Sequence, residues 1–380
     1  MFMKKIILVS LIVFTCIGKV SAQDEPNPIT TAAPFLLIAP DARAGGMGDV
    51  GVATSPDANS QHWNASKFAF MKSQFSIGVI YTPWLSEITD DVFLGGFSFA
   101  NKIDDRSAWA ASLRYFSLGK IQLTDINGLE IGNENLNEFS IDGSYSLKLS
   151  EMYSMGVTLR YIRSDLGIES ANSTINPVNT FAVDVSGYFQ SDETNYGDFN
   201  GVWRGGFNIS NIGPKVSYSD DGNENFIPTN LKLGGGFDFI LDSYNTVSIN
   251  LELNKLLVPT PSVSDDGEPP YSQEDVGFFS GMFSSFGDAP NGFSEELKEF
   301  AWGLGAEYMY DNSFAIRAGY FNESDLKGAR KYFTLGSGFK FKSTRLDISY
   351  LFNASDINNP LENTLRFSLS FDFGDMFEVY

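Results

Sequence analysis

The chain has 380 residues and a formal net charge of −21, an acidity that argues against nucleic acid as a partner, since that needs a basic footprint. One histidine (His62) and one cysteine (Cys16) complete neither a Ser-His-Asp triad, a Cys–His pair nor a zinc ligand set, so no enzymatic activity, metal or cofactor is expected. Beyond the N-terminus no apolar run reaches about 18 residues, which excludes a transmembrane helix.

Residues 1–22 read as a secretory signal peptide. Lys4 and Lys5 precede an apolar stretch from Ile6 to Ile17, and Val20-Ser21-Ala22 offers a small-residue cleavage site before Gln23. The bulky Phe14 and the later cleavage site argue against lipidation of Cys16. Removal of 1–22 takes three lysines and no acid, leaving 23 basic against 47 acidic residues. The mature chain then has no thiol.

Residues 23–73 do not alternate between apolar and polar. They are rich in glycine around Arg43 to Gly51 and carry Met47, Trp63, Phe68 and Phe70. A solvated tail would hold more charge and fewer such side chains, so this segment is expected to sit as a plug, or hatch, inside a lumen. His62, next to Trp63, is expected to be packed or hydrogen-bonded there.

From residue 74 to 380, fourteen short segments place apolar residues on every second position. In 152–163, Tyr153, Met155, Val157, Leu159 and Tyr161 face one way, and Ser154, Gly156, Thr158 and Arg160 the other. A sheet in lipid must satisfy every backbone group internally and therefore closes on itself, with apolar side chains outward and polar ones inward. A soluble sandwich also alternates, but strand glycines and a heavy load of Phe, Tyr and Trp favour a membrane barrel with aromatic girdles. The expected fold is all-β: a 14-stranded antiparallel transmembrane β-barrel with an N-terminal plug in its lumen.

The gaps between segments alternate in length. Those at 102–106, 150–151, 191–201, 242–243, 311–313 and 342–344 are short. Those at 83–91, 117–137, 164–179, 211–230, 254–300, 321–330 and 353–363 are mostly longer. Outer-membrane barrels have short periplasmic turns and long external loops, so both termini are expected in the periplasm and the long gaps outside. Inward charges of both signs, among them Arg114, Arg160, Glu252, Glu307, Arg317 and Arg366, suit salt bridges to a plug rather than an ion-selective pore.

The longest loop, 254–300, has an acidic, Pro-rich part followed by Phe278, Phe279, Met282, Phe283 and Phe286. These side chains either fold over the barrel mouth or dip into the outer leaflet, or else form a docking surface for a partner. Ser294, Glu295 and Glu296 suggest the cap of a short helix ending near Phe300. Asp220 to Glu224 and Asp265-Asp266-Gly267 lack the spacing of calcium loops and read as acidic turns in solvent, with structural calcium as the lesser alternative.

The run Ala42-Arg43-Ala44-Gly45-Gly46-Met47-Gly48, a stretch of small residues, then Trp63-Asn64, ahead of fourteen strands, resembles the FadL-type outer-membrane transporters. Within that superfamily it most resembles the PorV (LptO) family of type IX secretion in Bacteroidetes. The specific residues are Arg43, Gly46, Met47, Gly48, Trp63 and Asn64; Ala65 stands where the family usually has proline. The resemblance implies a non-enzymatic outer-membrane component, embedded in lipid and lipopolysaccharide. It implies binding of cargo that bears a C-terminal signal domain at the translocon barrel, and delivery of that cargo to a cell-surface sortase. The alternative is a FadL-type transporter of hydrophobic small molecules, which requires an apolar pocket beneath the loops.

Overall fold

In a computed structural model, the alternating segments are strands. The structure describes residues 26–376 except 85–88, 90, 125–126, 168, 171–172, 175, 220–223, 262–275 and 356–362. The signal peptide, Asp220 to Asn223 and Asp265 to Gly267 lie outside the described residues.

Fourteen strands make the wall: β1 (Ser73–Pro83), β2 (Val92–Lys102), β3 (Ser107–Thr124), β4 (Glu130–Lys148), β5 (Tyr153–Asp165), β6 (Val178–Gln190), β7 (Asn200–Ile212), β8 (Asn230–Ile240), β9 (Asn245–Leu256), β10 (Ala301–Tyr310), β11 (Phe314–Asn322), β12 (Lys331–Phe341), β13 (Thr344–Asn353) and β14 (Leu365–Met376). Each pairs antiparallel with its neighbours in sequence, and β1 pairs with β14 through Ile77↔Phe371 and Val79↔Leu369. The sheet is therefore closed, and no edge is left to be satisfied in lipid.

Alternation decides which side chain meets which medium. Along β5, Val157 and Leu159 are more than half exposed on the outer wall, while Thr158 and Arg160 are buried in the lumen. Aromatic contacts form a belt near each rim. Phe75, Phe99, Trp109 and Phe373 cluster at the short-turn end, and Trp302, Tyr320 and Phe333 at the other, as membrane interfaces favour.

The turn 311–313 has positive φ at Asp311 (48°) and Asn312 (50°), the pair a tight type I′ hairpin needs. The gap 191–201 holds a short ribbon, Thr194–Asn195 against Gly201 and Asn200. The expected loop 117–137 is instead largely strand: β3 and β4 continue their ladder as far as Thr124↔Glu130. A bulge at Gly119 (φ 81°) bends it. Above the lipid both faces of a ribbon are wet, so these residues need not alternate, and their strand character leaves no period-2 signal.

The lumen is filled from within. Two short helices, α1 (Ala42–Gly45) and α2 (Ser60–Trp63), and a 3₁₀ turn over Ala65–Phe70 are almost wholly buried against inward-facing wall residues. Both ends of the sheet, Ser73 and Met376, pair at the short-turn end. Ahead of β1, however, the chain runs the length of the lumen, and residues 26–38 lie among the long loops. There the Asn27 amide donates to the Leu326 carbonyl (2.8 Å), and the Ala32 amide to that of Phe226 (2.9 Å). Phe35 and Leu36 are buried among Val92, Leu94, Phe116, Ile162, Val178 and Ile227.

Candidate functional site

The plug is held by polar contacts that begin with its own sequence. Asp41 caps α1 by accepting from the Ala44 amide (2.9 Å), and its other oxygen accepts from Trp63 Nε1 (2.6 Å). This joins the two halves of the plug. Burial, with the nearby Asp57 charge, pushes the Asp41 carboxyl up to about 6. Arg43 donates from Nε and Nη2 to both oxygens of Glu307 (3.2 and 2.9 Å) on β10. Its remaining N–H groups reach the Ser55 carbonyl, Asp57 Oδ2 and Ser55 Oγ.

Glu307 also takes Arg317 Nε (2.6 Å), and Arg317 pairs with Asp347 (2.7 Å), so plug and wall share one charge network. Further along, Asp49 accepts from Arg366 and Tyr332. The Gly51 and Val52 amides donate to Glu252 Oε2 (2.8 and 2.9 Å). Lys232 reaches the other Glu252 oxygen at 3.0 Å and lies over the Trp63 ring.

Lys67 is fully buried and donates to the Gly51 carbonyl and Thr54 Oγ1, both at 2.9 Å. Burial pulls its ammonium down to about 8. For Asp57 the burial penalty is outweighed by the charges of Lys67 and Arg43, which hold the carboxyl below its usual range.

Asn64 donates to the Val52 and Gly187 carbonyls (2.9 Å each) and accepts from the Ser66 amide (3.1 Å). That fixes the bend into Ala65 without a proline. His62 Nδ1 lies 2.7 Å from Arg114 Nη1, and its ring meets Trp63 edge-on at 4.9 Å. A guanidinium only donates, so this nitrogen carries no proton and the imidazole is neutral. Burial and the Arg114 charge keep its pKa well below 6.5.

Thus Arg43, Gly46, Met47, Gly48, Trp63 and Asn64 all lie in the lumen. Of the inward wall charges expected to hold a plug, Glu307, Arg366 and Glu252 do so, whereas the wall glycines that admit its backbone were not expected as contacts. A side chain at Gly319 would overlap the backbone of Met47 and Gly48, and one at Gly206 the Val52 carbonyl. These inward glycines are notches for the plug backbone. Strand glycine next to alternating residues was their only trace in the sequence.

The long loop carries a separate surface. Helix α3 (Phe278–Ser284) exposes Phe279 (65 %) and Phe283 (70 %), and Phe286 follows it, also exposed. Phe278 and Met282 are half-buried, and Gly281 packs on Phe226 and Pro259. Helix α4 (Phe293–Glu296) begins at Gly292, not at a Ser294 cap, and passes through a 3₁₀ turn to Glu299. It adds exposed Phe293 and Leu297 to the same loop, an i, i+4 pair absent from the sequence reading. Between plug and loops lies a cavity of about 80 Å³, lined by Ile29, Trp63, Lys232, Glu299, Lys327 and Arg330 among others.

Comparison with known proteins gives two findings. The family described as Type IX secretion system protein PorV matches residues 21–263. Among solved structures, the chain is similar to the Pseudomonas putida toluene transporter TodX, with a TM-score of 0.51 at 12 % identity over 92 % of this chain and 98 % of that one. It is also similar to a TodX mutant described as a monoaromatic hydrocarbon channel, with a TM-score of 0.53 at 13 % identity over 88 % and 99 %. At such identities the likeness is one of fold. No curated protein matches the chain. With the family matched over more than half its length and a plugged 14-stranded barrel as its fold, the chain belongs to the PorV family, outer-membrane components of the type IX secretion system.

Proposed function

We propose that this barrel is a non-enzymatic docking component of type IX secretion. It binds cargo bearing a C-terminal signal domain at the translocon barrel and passes it to the surface sortase. The observation that carries this reading is the filled lumen: among the described residues a plug salt-bridged to the wall at Arg43–Glu307 and Arg366–Asp49 occupies the space a protein channel would need. Recognition then falls to the outer wall and the external loops. Phe278, Phe279, Met282, Phe283 and Phe286 are the apolar anchors assigned to partner contact, since aromatic side chains that bury on binding dominate interfaces. His62, the only histidine, is engaged with Arg114, which supports a role without catalysis.

Transport of hydrophobic molecules is the rival. It needs an apolar pocket under the loops, but Phe35 and Leu36 of the chain itself fill the apolar part of the mouth. The cavity beside them has a mixed lining, with Lys232, Glu299, Lys327 and Arg330 standing beside Ile29, Leu37, Trp63 and Phe321, rather than a continuous apolar one.

The test is purification at native expression in mild detergent, followed by mass spectrometry, for the intact protein and a variant lacking 276–286. Retrieval of a giant barrel, a sortase or cargo sharing one C-terminal domain, lost in the variant, supports docking. Undiminished partners in the variant overturn the loop assignment, and bound apolar small molecules without protein partners favour transport.

A further inference from the structure

The loop that carries α3 is pinned to the barrel by a group of carboxylates with more negative charge than its lysines balance. Lys255, at the end of β9 and fully buried, donates to Glu296 Oε1 (2.6 Å) and Glu299 Oε2 (2.7 Å). Lys327 reaches Glu295 Oε1 (2.5 Å) and Glu299 Oε1 (3.1 Å). Asp288 accepts from the Thr260 amide through Oδ2 (3.2 Å), and Glu299 Oε1 also accepts from Thr260 Oγ1 (2.5 Å). Four carboxylates thus meet two ammoniums, an excess of two negative charges in a largely buried place.

Two oxygens of the group, Glu296 Oε2 and Asp288 Oδ1, are buried and have no hydrogen-bond partner among the described residues. Glu296 as a whole is 4 % exposed. A buried carboxylate oxygen without a partner forfeits its hydration for nothing, so such an atom points to something that completes it. Asp288, Glu296 and Glu299 each offer a carboxylate oxygen, and the three lie within 4.8 Å of one another. Oxygens no farther apart than this can all be reached by one calcium ion bonded at about 2.4 Å.

The donors are all oxygen, which selects a hard cation over zinc or copper. Their uneven placement on an irregular loop suits calcium, which accepts six to eight ligands in flexible geometry, better than the strict octahedron of magnesium. One divalent cation cancels the two excess charges.

We propose that Asp288, Glu296 and Glu299 form a calcium site that fastens loop 254–300 to β9. The site lies at the long-loop end, where extracellular calcium has access. Three protein carboxylates sharing their charge with two lysines match a module of modest affinity, with a Kd of about 10⁻⁴ to 10⁻³ M. Calcium holds α4 and the turn after it in register with Lys255, and so sets the angle at which α3 presents its phenylalanines.

The test uses the full-length protein in detergent, stripped with chelator and titrated with calcium chloride by calorimetry. Hydrogen exchange of peptides spanning 276–300 is followed in parallel. The expected result is one saturable site per chain, slower exchange in that loop with calcium, and weaker response to magnesium. Glu296→Gln and Asp288→Asn each lower the affinity roughly tenfold or more. Asp288 is half-exposed, so its variant folds even where loss of Glu296 disturbs Lys255, and heat-modifiable gel migration reports the intact barrel in both. Absence of saturable binding well above about 1 mM overturns the site. So does equal binding by wild type and both variants, which places the calcium elsewhere on an acidic chain. A proton shared between Asp288 and Glu296, with no calcium response, is the outcome that replaces it.

Discussion

Arg43 carries five N–H groups, and each has an acceptor: two on Glu307, one on Asp57 and two on Ser55. Removing one member of a buried ion pair strands the others, typically at about 3–5 kcal/mol. Arg43→Ala is therefore expected to loosen the plug by that order, with Arg43→Lys intermediate because an ammonium cannot reproduce the planar fork. Limited proteolysis within 39–71 and the midpoint of thermal unfolding measure both. Equal protection of wild type and Arg43→Ala would show that the plug does not depend on this network. In the sequence Arg43 stood out within its glycine-rich run, but Glu307 lies 264 residues away, and no local pattern joins them.

His62 gives a pH dependence whose sign can be worked out. It is neutral in the fold and takes a proton in the unfolded chain below about 6.5. The unfolded state then binds more protons, and stability falls as pH drops below that value, by up to about 1.4 kcal/mol per pH unit. Asp41 acts the opposite way. Its raised pKa keeps a proton in the fold between 3.8 and about 6, so its contribution falls as pH rises through that window. Comparing unfolding of wild type and His62→Gln from pH 7 to 5 isolates the histidine. The variant is expected to lose less stability on acidification, and parallel curves would refute the assignment.

At the scale of elements, the strands were legible because lipid enforces a period of two along every one of them. Where that constraint stops, legibility stops too. The upper parts of β3 and β4, solvated on both faces, read as loop. The short plug helices have no period to detect, being only one turn long, and composition alone pointed to burial.

The glycine notches belong to this scale, since they exist only where a plug turn crosses a strand pair. Gly305 and Gly319 face each other across β10 and β11, and both would strike Met47 if they carried a side chain. Gly319→Val is expected to displace this turn at a cost of about 1–3 kcal/mol or more. The barrel itself should still form. Cysteine-accessibility labelling at residue 47 should rise in the variant, and unchanged labelling would mean that the plug has room to spare.

For the molecule as a whole, wall, plug and loops are consecutive layers of one contact system. Asn27 bonds to Pro261 and lies 3.5 Å from Glu295, Ala33 bonds to Tyr218, and Asp49 bonds to Arg366 near the start of β14. A barrel of fourteen strands is too wide for wall side chains to fill. Deletion of 39–71 is therefore expected to turn a closed barrel into an open pore, read as a large rise in single-channel conductance in planar bilayers. A silent variant would mean that the loops alone seal it. The sequence indicated a plug and a loop surface but could not show that the chain's first described residues reach that surface, because a path through a lumen leaves no pattern in composition.

The pairing of β1 with β14 also constrains how the protein is made. This seam joins the first strand to the last, so its closure entropy is the largest in the sheet and its formation comes late. Until then the growing sheet is an open trough with one side missing. The plug, with Trp63, Phe68 and Phe70 along it, enters such a trough sideways, whereas after the edges meet it has to be threaded end-on through the mouth. Afterwards the wall hydrogen bonds hold it captive. An interrupted assembly leaves a chain with two bare edges and an unburied N-terminal segment, a substrate for periplasmic proteolysis rather than a partly working barrel.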